Sequence, residues 1–225
     1  MTRIEVVLFD VDETLYPRSA GLMQAIGRRI QVYMEERLGM PPELVARLRV
    51  EYVIEYGTSL RGLQLNQKID AEDYLAFVHD VPVGDYIGPN PPLQAMLQAL
   101  RARKLIFTNA TAEHALNVTR ALGVSSFFER IVDVRTFDFV CKPHPEVYER
   151  IALLAQVKPE QCLLVDDNIR NLRPGKELGM LTVMVGDHEP VAGIVDFHLP
   201  DVLGVGEIVN RLNAAKRTQA RGQTE

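Results

Sequence analysis

The stretch Val6-Val7-Leu8-Phe9-Asp10-Val11-Asp12-Glu13-Thr14-Leu15 joins a short apolar run to two carboxylates and a hydroxyl. Residues 6–9 are apolar at every position, which is typical of a strand inside a parallel sheet that is covered on both faces. Ligands of open α/β sheets bind at the carboxyl ends of such strands, where Asp10 stands. Asp10 and Asp12 are therefore candidate functional residues, although Asp at a strand end is also common in turns and helix caps.

Composition and charge restrict the classes of protein that fit. The 225 residues are 47% hydrophobic and 24% charged, which suits one large domain or one domain with an insertion. The net charge of -5 argues against nucleic acid as the partner. The apolar run at 6–9 is too short for a signal sequence or a membrane span, so we expect a cytoplasmic protein with no membrane partner. Cys141 and Cys162 lack metal-ligand spacing and predict free thiols.

The segment after the opening stretch has helical periodicity. Apolar residues recur at helical spacing over 19–39 and 42–57, and Asp70 precedes a third helical pattern as a candidate N-cap. Glycine and proline crowd residues 84–92, which indicates a loop or hinge. We therefore predict that residues 17–88 are all-helical.

Beyond that hinge, strand patterns and helix patterns alternate. Repeated units of this kind predict a mostly parallel sheet with helices on both faces, an α/β fold. The polar tail at 216–225 is predicted to be frayed. The predicted strands are 105–108, 131–134, 162–165 and 181–185, and the predicted helices are 93–102, 112–122, 145–156, 172–178 and 207–215.

The spacing between strand ends predicts an inserted cap. A crossover between parallel strands needs only a dozen or more residues, yet 96 positions separate Asp12 from Thr108. The extra length corresponds to the helical segment, which leaves after the first strand and so lies over the sheet edge that carries Asp10. We predict a Rossmann-like catalytic core of residues 1–16 and 89–225 with a helical cap of residues 17–88.

Polar residues follow several of the predicted strands or stand in the loops behind them. Because the carboxyl ends of parallel strands share one edge of a sheet, we expect these residues to lie together. Phosphoryl transfer requires a nucleophile, a divalent cation held by hard oxygen ligands, and donors for the phosphate oxygens. The set contains all three: Asp10 and Asp12, Thr108 and Asn109, Lys142, and Asp166 and Asp167.

Each member of the set has a role in such a reaction. Asp10 is the candidate nucleophile that forms an aspartyl-phosphate, and Asp12 is the candidate acid and base that protonates the leaving oxygen and activates water. The phosphate-binding candidates are Thr108, Asn109 and Lys142, and the magnesium candidates are Asp10, Asp166 and Asp167.

Each of these features has a simpler interpretation when taken alone. Thr108-Asn109 is a common turn and cap, Lys142 before a proline is ordinarily a solvated lysine, and the acids at 166–167 are able to cap a helix. A calcium loop starting at Asp10 is a rival, but it would need glycine at loop position 6 and glutamate at position 12, where Leu15 and Gly21 stand. Only the joint order along the chain favours phosphoryl transfer.

In that order, Asp10-Val11-Asp12-Glu13-Thr14-Leu15, Thr108-Asn109, Lys142-Pro143 and Asp166-Asp167 resemble the four motifs of the haloacid dehalogenase-like (HAD) hydrolase superfamily. The resemblance implies a Rossmann-like sheet whose first strand lies between the second and fourth, with a helical cap inserted after the first motif. It also implies that Mg²⁺ is held by Asp10, the backbone carbonyl of Asp12, Asp167 directly, and Asp166 as a further or water-mediated ligand.

Two details of the resemblance bear on the substrate. Dehalogenases of the superfamily lack the second acid, so Asp12 favours a phosphohydrolase. The segments 56–63 and 77–80 look like cap segments of the pyrimidine 5′-nucleotidase branch. The implied substrate is a nucleoside monophosphate, UMP or CMP, acted on by a monomer or homodimer. A sugar-phosphate or other small-metabolite phosphatase, and a non-catalytic regulatory protein of the same fold, are the alternatives.

The cap offers two candidate substrate contacts. Arg61 lies between Gly57 and Gly62, which suits a loop that approaches a ligand closely, although a solvated arginine is the simpler interpretation. His79 stands in a segment that resembles the nucleotidase branch. The remaining candidates, His114, His144 and His188, are predicted to be surface or capping residues.

Overall fold

The computed structural model describes the backbone of residues 3–221 and the side chains of residues 3–214. Within these residues, one six-stranded sheet has the order β3-β2-β1-β4-β5-β6, and every neighbouring pair is parallel. This confirms the predicted α/β fold, with the first strand between the second and the fourth. The strands are β1 (Val6–Phe9), β2 (Arg103–Phe107), β3 (Arg130–Val132), β4 (Cys162–Asp166), β5 (Leu181–Val185) and β6 (Phe197–Leu199).

The helices fall into an inserted group between β1 and β2 and a group that connects the strands. Short 3₁₀ turns occur at Arg18–Ala20, Val83–Asp85, Ser125–Phe127, Pro159–Gln161 and Val202–Gly204, and a π-helical turn at Tyr33–Arg37 extends the first helix. The inserted helices are α1 (Leu22–Val32), α2 (Pro42–Tyr56), α3 (Ser59–Gln67) and α4 (Ala71–Val78). The others are α5 (Pro91–Ala99), α6 (Ala112–Ala121), α7 (Pro145–Ala155), α8 (Ile169–Glu177) and α9 (Val205–Arg221).

Strand β1 lies between β2 and β4, and both of its faces are covered. Val7 and Phe9 pack into the apolar layer formed with α5, α6 and α9, whereas Val6 and Leu8 pack into the layer formed with α7 and α8. All four side chains have no exposed surface. The alternation follows from the two-residue period of a strand, and it explains why the first strand of this chain has no polar position before Asp10.

The inserted helices have an apolar core of their own. Tyr33, Met34, Leu63 and Tyr74 are among its members, and Cys141 joins it from the loop before α7. The predicted cap at Asp70 is confirmed, because its side chain accepts hydrogen bonds from two backbone amides in the first turn of α4. The helical insertion is therefore present, while the exact division at residues 17–88 stays a prediction.

Several predicted boundaries were wrong. Helix α8 begins at Ile169 and not at residue 172, because the Asn168 side chain accepts a hydrogen bond from the Arg170 amide and starts the helix there. Helix α3 and strand β6 were not predicted. The tail predicted to be frayed from residue 216 continues as α9 to Arg221, and residues 222–225 lie outside the described part of the chain. Over the described residues, no helix has both the length and the apolar character needed to span a membrane.

Candidate active site

The parallel register gathers the predicted residues at one edge of the sheet. Phe9 pairs with Ile106 on one side and with Val165 on the other, so Asp10 leaves the sheet beside the ends of β2 and β4. There the structure forms a cavity of about 290 Å³. Its lining includes Asp10, Asp12, Thr108, Asn109, Lys142 and Asp167.

Lys142 is a buried cation between two carboxylates. Its Nζ lies 3.0 Å from Oδ1 of Asp10 and 2.6 Å from Oδ2 of Asp166. Burial alone would lower the pKa of Lys142, but the two carboxylates outweigh burial and raise the pKa above its ordinary value. The lysine is therefore charged and is not the solvated residue of the simpler interpretation.

Asp166 and Asp167 differ in how their oxygens are used. Asp166 accepts hydrogen bonds from Lys142, from the Asn168 amide and from the Asn171 side chain. Asp167 accepts only a 3.4 Å hydrogen bond, at Oδ1, from the Thr14 hydroxyl among the described side chains. This difference supports Asp167 as the acid with a carboxylate oxygen to offer a metal ion.

The carboxylates of Asp10, Asp166 and Asp167 make a donor set that suits magnesium. One oxygen from each lies within 4.8 Å of the others. Burial and the neighbouring acids Asp166 and Asp12, opposed by Lys142, raise the pKa of Asp10 to about 7. Burial and the charges of Asp166 and Asp10 raise the pKa of Asp167 to about 8. A divalent cation would relieve this repulsion, and carboxylate oxygens are the ligands that Mg²⁺ prefers.

Asp12 is held by two donors on a single oxygen. Its Oδ1 accepts hydrogen bonds from the Tyr16 hydroxyl at 2.6 Å and from Nε2 of His114 at 2.9 Å. Burial acts to raise the pKa of Asp12, but the charge and hydrogen bond of His114, together with the Tyr16 hydroxyl, lower it below the ordinary value. The carboxylate therefore has a defined orientation at the edge of the cavity.

The prediction that His114 is a surface or capping residue was wrong. His114 is 2% exposed and lies on the inner side of α6. A signal was present in the sequence: His114 and Val118 are four residues apart and share the apolar face of the helix. Tyr16, four residues after Asp12, was likewise not predicted as part of the site.

Thr108 and Asn109 lie at the site in different ways. Thr108 is 4% exposed, and its hydroxyl accepts a hydrogen bond from the Ala110 amide. The Asn109 side chain donates to the Lys142 carbonyl at 2.8 Å and accepts from the Lys142 amide at 2.9 Å. Asn109 thus fixes the backbone of the lysine loop with its side chain, while phosphate binding by the hydroxyl and amides around Thr108 and Asn109 stays a prediction.

The two cap candidates have separate positions. His79 lines the catalytic cavity and stacks on His114, with 4.7 Å between ring centroids. Arg61 lines another cavity, with Gly57, Cys141 and Pro143, and is not among the residues that line the catalytic one. The first turn of α3 directs residues 59 and 60 to the catalytic cavity and residue 61 to the other. This placement does not support the substrate contact predicted for Arg61, which stays a prediction.

The insertion supplies a mostly apolar wall to the catalytic cavity. The polar exceptions are Thr58, Ser59, Tyr74 and His79. The apolar members are Met23, Ile26, Ile30, Leu60, Leu75 and Val78. The cavity therefore joins a charged end at the sheet to an apolar side at the insertion.

Comparison with known proteins identifies the family of this chain. The sequence model of the haloacid dehalogenase-like hydrolases matches residues 4–179, which include every motif described above. The chain belongs to the haloacid dehalogenase-like hydrolase family.

Three relatives illustrate the range of similarity. Phosphate metabolism protein 8 of Saccharomyces cerevisiae is 30% identical over 191 residues, which are 78% of this chain but only 60% of the yeast protein. Glyceraldehyde 3-phosphate phosphatase of Methanopyrus kandleri is 30% identical over 88% of this chain and 91% of its own length. The crystal structure of a HAD phosphatase from Thermococcus onnurineus shares the fold, with a TM-score of 0.61, 16% identity, and coverage of 92% of this chain and 98% of its own.

Proposed function

We propose that this chain is a magnesium-dependent phosphomonoesterase that acts through an aspartyl-phosphate on Asp10. The observation that carries the proposal is the cluster of buried Asp10, Asp166 and Lys142 with half-buried Asp167. It stands beside a second acid, Asp12, whose orientation is fixed. A hydrolase of this family that has both Asp10 and Asp12 suits cleavage of a phosphate ester, because the leaving oxygen needs a proton. The intact set of acids also argues against a purely regulatory protein.

The proposed first step uses Asp10 and Asp12. A carboxylate oxygen of Asp10 forms a bond to phosphorus while the bond from phosphorus to the leaving oxygen breaks, and Asp12 donates a proton to that oxygen. The low pKa of Asp12 in the free protein is compatible with this role, because an entering phosphate brings negative charge that raises the proton affinity of the carboxylate.

The second step restores the enzyme. Asp12, now ionised, takes a proton from water as the water oxygen attacks phosphorus, and the bond to Asp10 breaks to release inorganic phosphate. Lys142 and the groups around Thr108 would neutralise the phosphate oxygens. Magnesium, bound by Asp10, Asp167 and Asp166 and by the predicted backbone carbonyl of Asp12, would supply further charge neutralisation.

The proposed substrate is a small phosphorylated metabolite. The resemblance of segments 56–63 and 77–80 to the pyrimidine 5′-nucleotidase branch supports UMP or CMP. The name of the yeast relative does not specify a substrate. The archaeal relative, named as a phosphatase of glyceraldehyde 3-phosphate, supports a sugar phosphate as the second candidate. With Arg61 in another cavity, the polar residues that the insertion offers to either substrate are Thr58, Ser59, Tyr74 and His79.

A phosphate-release screen tests the proposal. The purified chain is assayed with UMP, CMP, glyceraldehyde 3-phosphate and p-nitrophenyl phosphate, with Mg²⁺ and with excess chelator, beside the Asp10→Asn variant as the inactive control. We expect Mg²⁺-dependent release that the variant lacks. Turnover in chelator, or equal turnover by the variant, would contradict the mechanism, and the ranking of the esters decides between the two substrate classes.

A further inference from the structure

Two stacked imidazole rings connect the helical insertion to Asp12. His79 stands at the end of α4 in the insertion, and His114 lies in the first turn of α6 in the core. Their ring planes are inclined by 22°, and the centroids lie 4.7 Å apart. Nε2 of His114 then lies 2.9 Å from Oδ1 of Asp12. The chain of contacts runs from the insertion to the candidate acid and base.

The environment of His114 leaves its ring little freedom. Its side chain is 1% exposed, compared with 15% for Asp12. The hydrogen bond from His114 and the one from Tyr16 converge on the same oxygen of Asp12, so the second oxygen is not used by either donor. Two donors on one carboxylate oxygen fix the rotation of the group and leave the other oxygen for a proton.

His79 contacts His114 through the face of its ring and not through a hydrogen bond. Its Nδ1 is buried with no hydrogen-bond partner among the described residues, which is unfavourable for a polar atom. An apolar ring would cover His114 without that cost. The side chain of His79 is linked to Asp12 through its stack on His114.

We infer that His114 is a positioning residue that orients the Asp12 carboxylate for proton transfer, and that His79 holds the His114 ring in place from the helical insertion. This inference rests on the proposed phosphomonoesterase function. It means that the insertion, when it packs against the core, contributes through His79 to the working orientation of Asp12.

The positioning role predicts a loss of rate whose size depends on the leaving group. An alkoxide is a poor leaving group and needs a proton from Asp12, whereas p-nitrophenolate leaves with much less assistance. Loss of orientation at Asp12 should therefore slow alkyl phosphates more than p-nitrophenyl phosphate. A general loss of structure would slow both alike.

The test uses matched substitutions at His114. In His114→Gln the side-chain amide nitrogen replaces Nε2 as a donor, whereas His114→Leu has no donor at a similar size. The substrates are p-nitrophenyl phosphate and the alkyl phosphate that the wild type hydrolyses fastest in the screen above. For His114→Leu we expect kcat on the alkyl ester to fall at least about tenfold more than kcat on the aryl ester, with KM changed less than about threefold.

The conservative variant and the His79 pair complete the test. We expect His114→Gln to recover most of the alkyl-ester kcat. His79→Phe keeps a ring on His114, so its kcat on the alkyl ester should be higher than that of His79→Ala. Melting temperatures should show that both variants are folded. If His114→Leu does not fold, the ratio of alkyl-ester kcat to aryl-ester kcat in His114→Gln and in the two His79 variants, compared with wild type, still tests the positioning role and the role of the stack.

The contrary outcomes are distinct. Equal losses on both esters, or no difference between His114→Gln and His114→Leu, would overturn the positioning role. Equal activity of the two His79 variants would overturn the role of the stack. A wild type that hydrolyses only the aryl ester would show that no oriented acid operates. A wild type that releases phosphate from neither ester would refute the proposed function itself.

Discussion

Nζ of Lys142 lies 2.6 Å from Oδ2 of Asp166, and neither side chain has any exposed surface. The same nitrogen contacts Asp10 at 3.0 Å. Removing one partner of a buried ion pair leaves an uncompensated charge, which costs far more than the loss of an exposed pair. The lysine is thus a structural requirement of the acid cluster as well as a candidate phosphate ligand.

Lys142→Met should destabilise the protein strongly. The change keeps the length of the side chain but leaves Asp10 and Asp166 without their cation, so we expect a loss of about 3–5 kcal/mol in the free energy of unfolding by urea. Arg47→Met, which removes an exposed pair with Glu51, is the control and should cost less than about 1 kcal/mol. Equal effects would show that Lys142 does not compensate the acids.

Asp10→Asn should abolish turnover and preserve the fold. The amide has nearly the same shape as the acid, but it cannot form an acyl-phosphate. Its oxygen is still able to accept a hydrogen bond from Lys142. The measurements are phosphate release and circular dichroism on the same preparation. Wild-type turnover by a folded variant would exclude Asp10 as the nucleophile.

Metal-free protein should become less stable as the pH rises from about 4 to about 8. Asp10 and Asp167 have pKa values raised from 3.8 to about 7 and about 8 in the folded state. In this window the folded protein binds more protons than the unfolded chain, so this contribution to stability is complete below the unfolded pKa and is lost through the folded pKa. Thermal melting in chelator at several pH values measures it.

Magnesium should reverse that loss. The cation binds the ionised carboxylates, so the increase in melting temperature on adding Mg²⁺ should be larger at pH 8 than at pH 5. Asp167→Asn, which removes one raised group, should weaken both the pH slope and the response to Mg²⁺. A response to Mg²⁺ that is the same at both pH values would argue against this cluster as the metal site.

Gly57→Ala should disturb the lysine loop from the insertion side. Gly57 has φ +89°, and a Cβ there would lie 2.6 Å from the Lys142 carbonyl oxygen and 2.7 Å from Cδ of Pro143. We expect at least a tenfold loss in kcat/KM and a loss of stability beyond the roughly 1–2 kcal/mol of backbone strain. Gly39→Ala, at φ +65° with no atom within 4 Å, is the control and should show the strain alone, with unchanged kcat/KM.

Leu60→Ala and Arg61→Ala should separate the two cavities. Leu60 lines the catalytic cavity and Arg61 the other one. We expect Leu60→Ala to change the ranking of UMP, CMP and glyceraldehyde 3-phosphate, because the smaller side chain enlarges the cavity on the side of the proposed leaving group. Arg61→Ala should keep the wild-type ranking. A change in ranking confined to Arg61→Ala would return that arginine to the substrate site.

Local patterns in the sequence were sufficient for much of the fold. The apolar run before Asp10 and the alternation of helix and strand beyond residue 89 predicted a parallel sheet, since strand and helix periods are properties of the chain itself. Short features were not recoverable in this way: β6 has only three half-buried or exposed residues, and α8 begins at a cap that resembles any other turn.

The candidate site was predictable to the extent that it stands at strand ends. Asp10, Thr108 and Asp166 were expected at one edge because parallel strands bring their carboxyl ends together. The sequence did not indicate which side chains meet there. His114 was predicted at the surface but is buried, and Arg61, predicted as a substrate contact, lines a cavity other than the one with Asp10. The direction of a side chain depends on how its helix rotates against neighbours that are distant in the chain.

By itself, the sequence determined the order of the acids, the lysine and the helical insertion, because each is a feature of residue type and spacing along one chain. Tertiary structure alone decided that Lys142 lies between Asp10 and Asp166, that Asn109 holds the lysine loop, and that His79 stacks on His114 beside Asp12. These contacts join residues far apart in sequence, and their distances are set by strand register and by the packing of the insertion on the core, which no local pattern specifies.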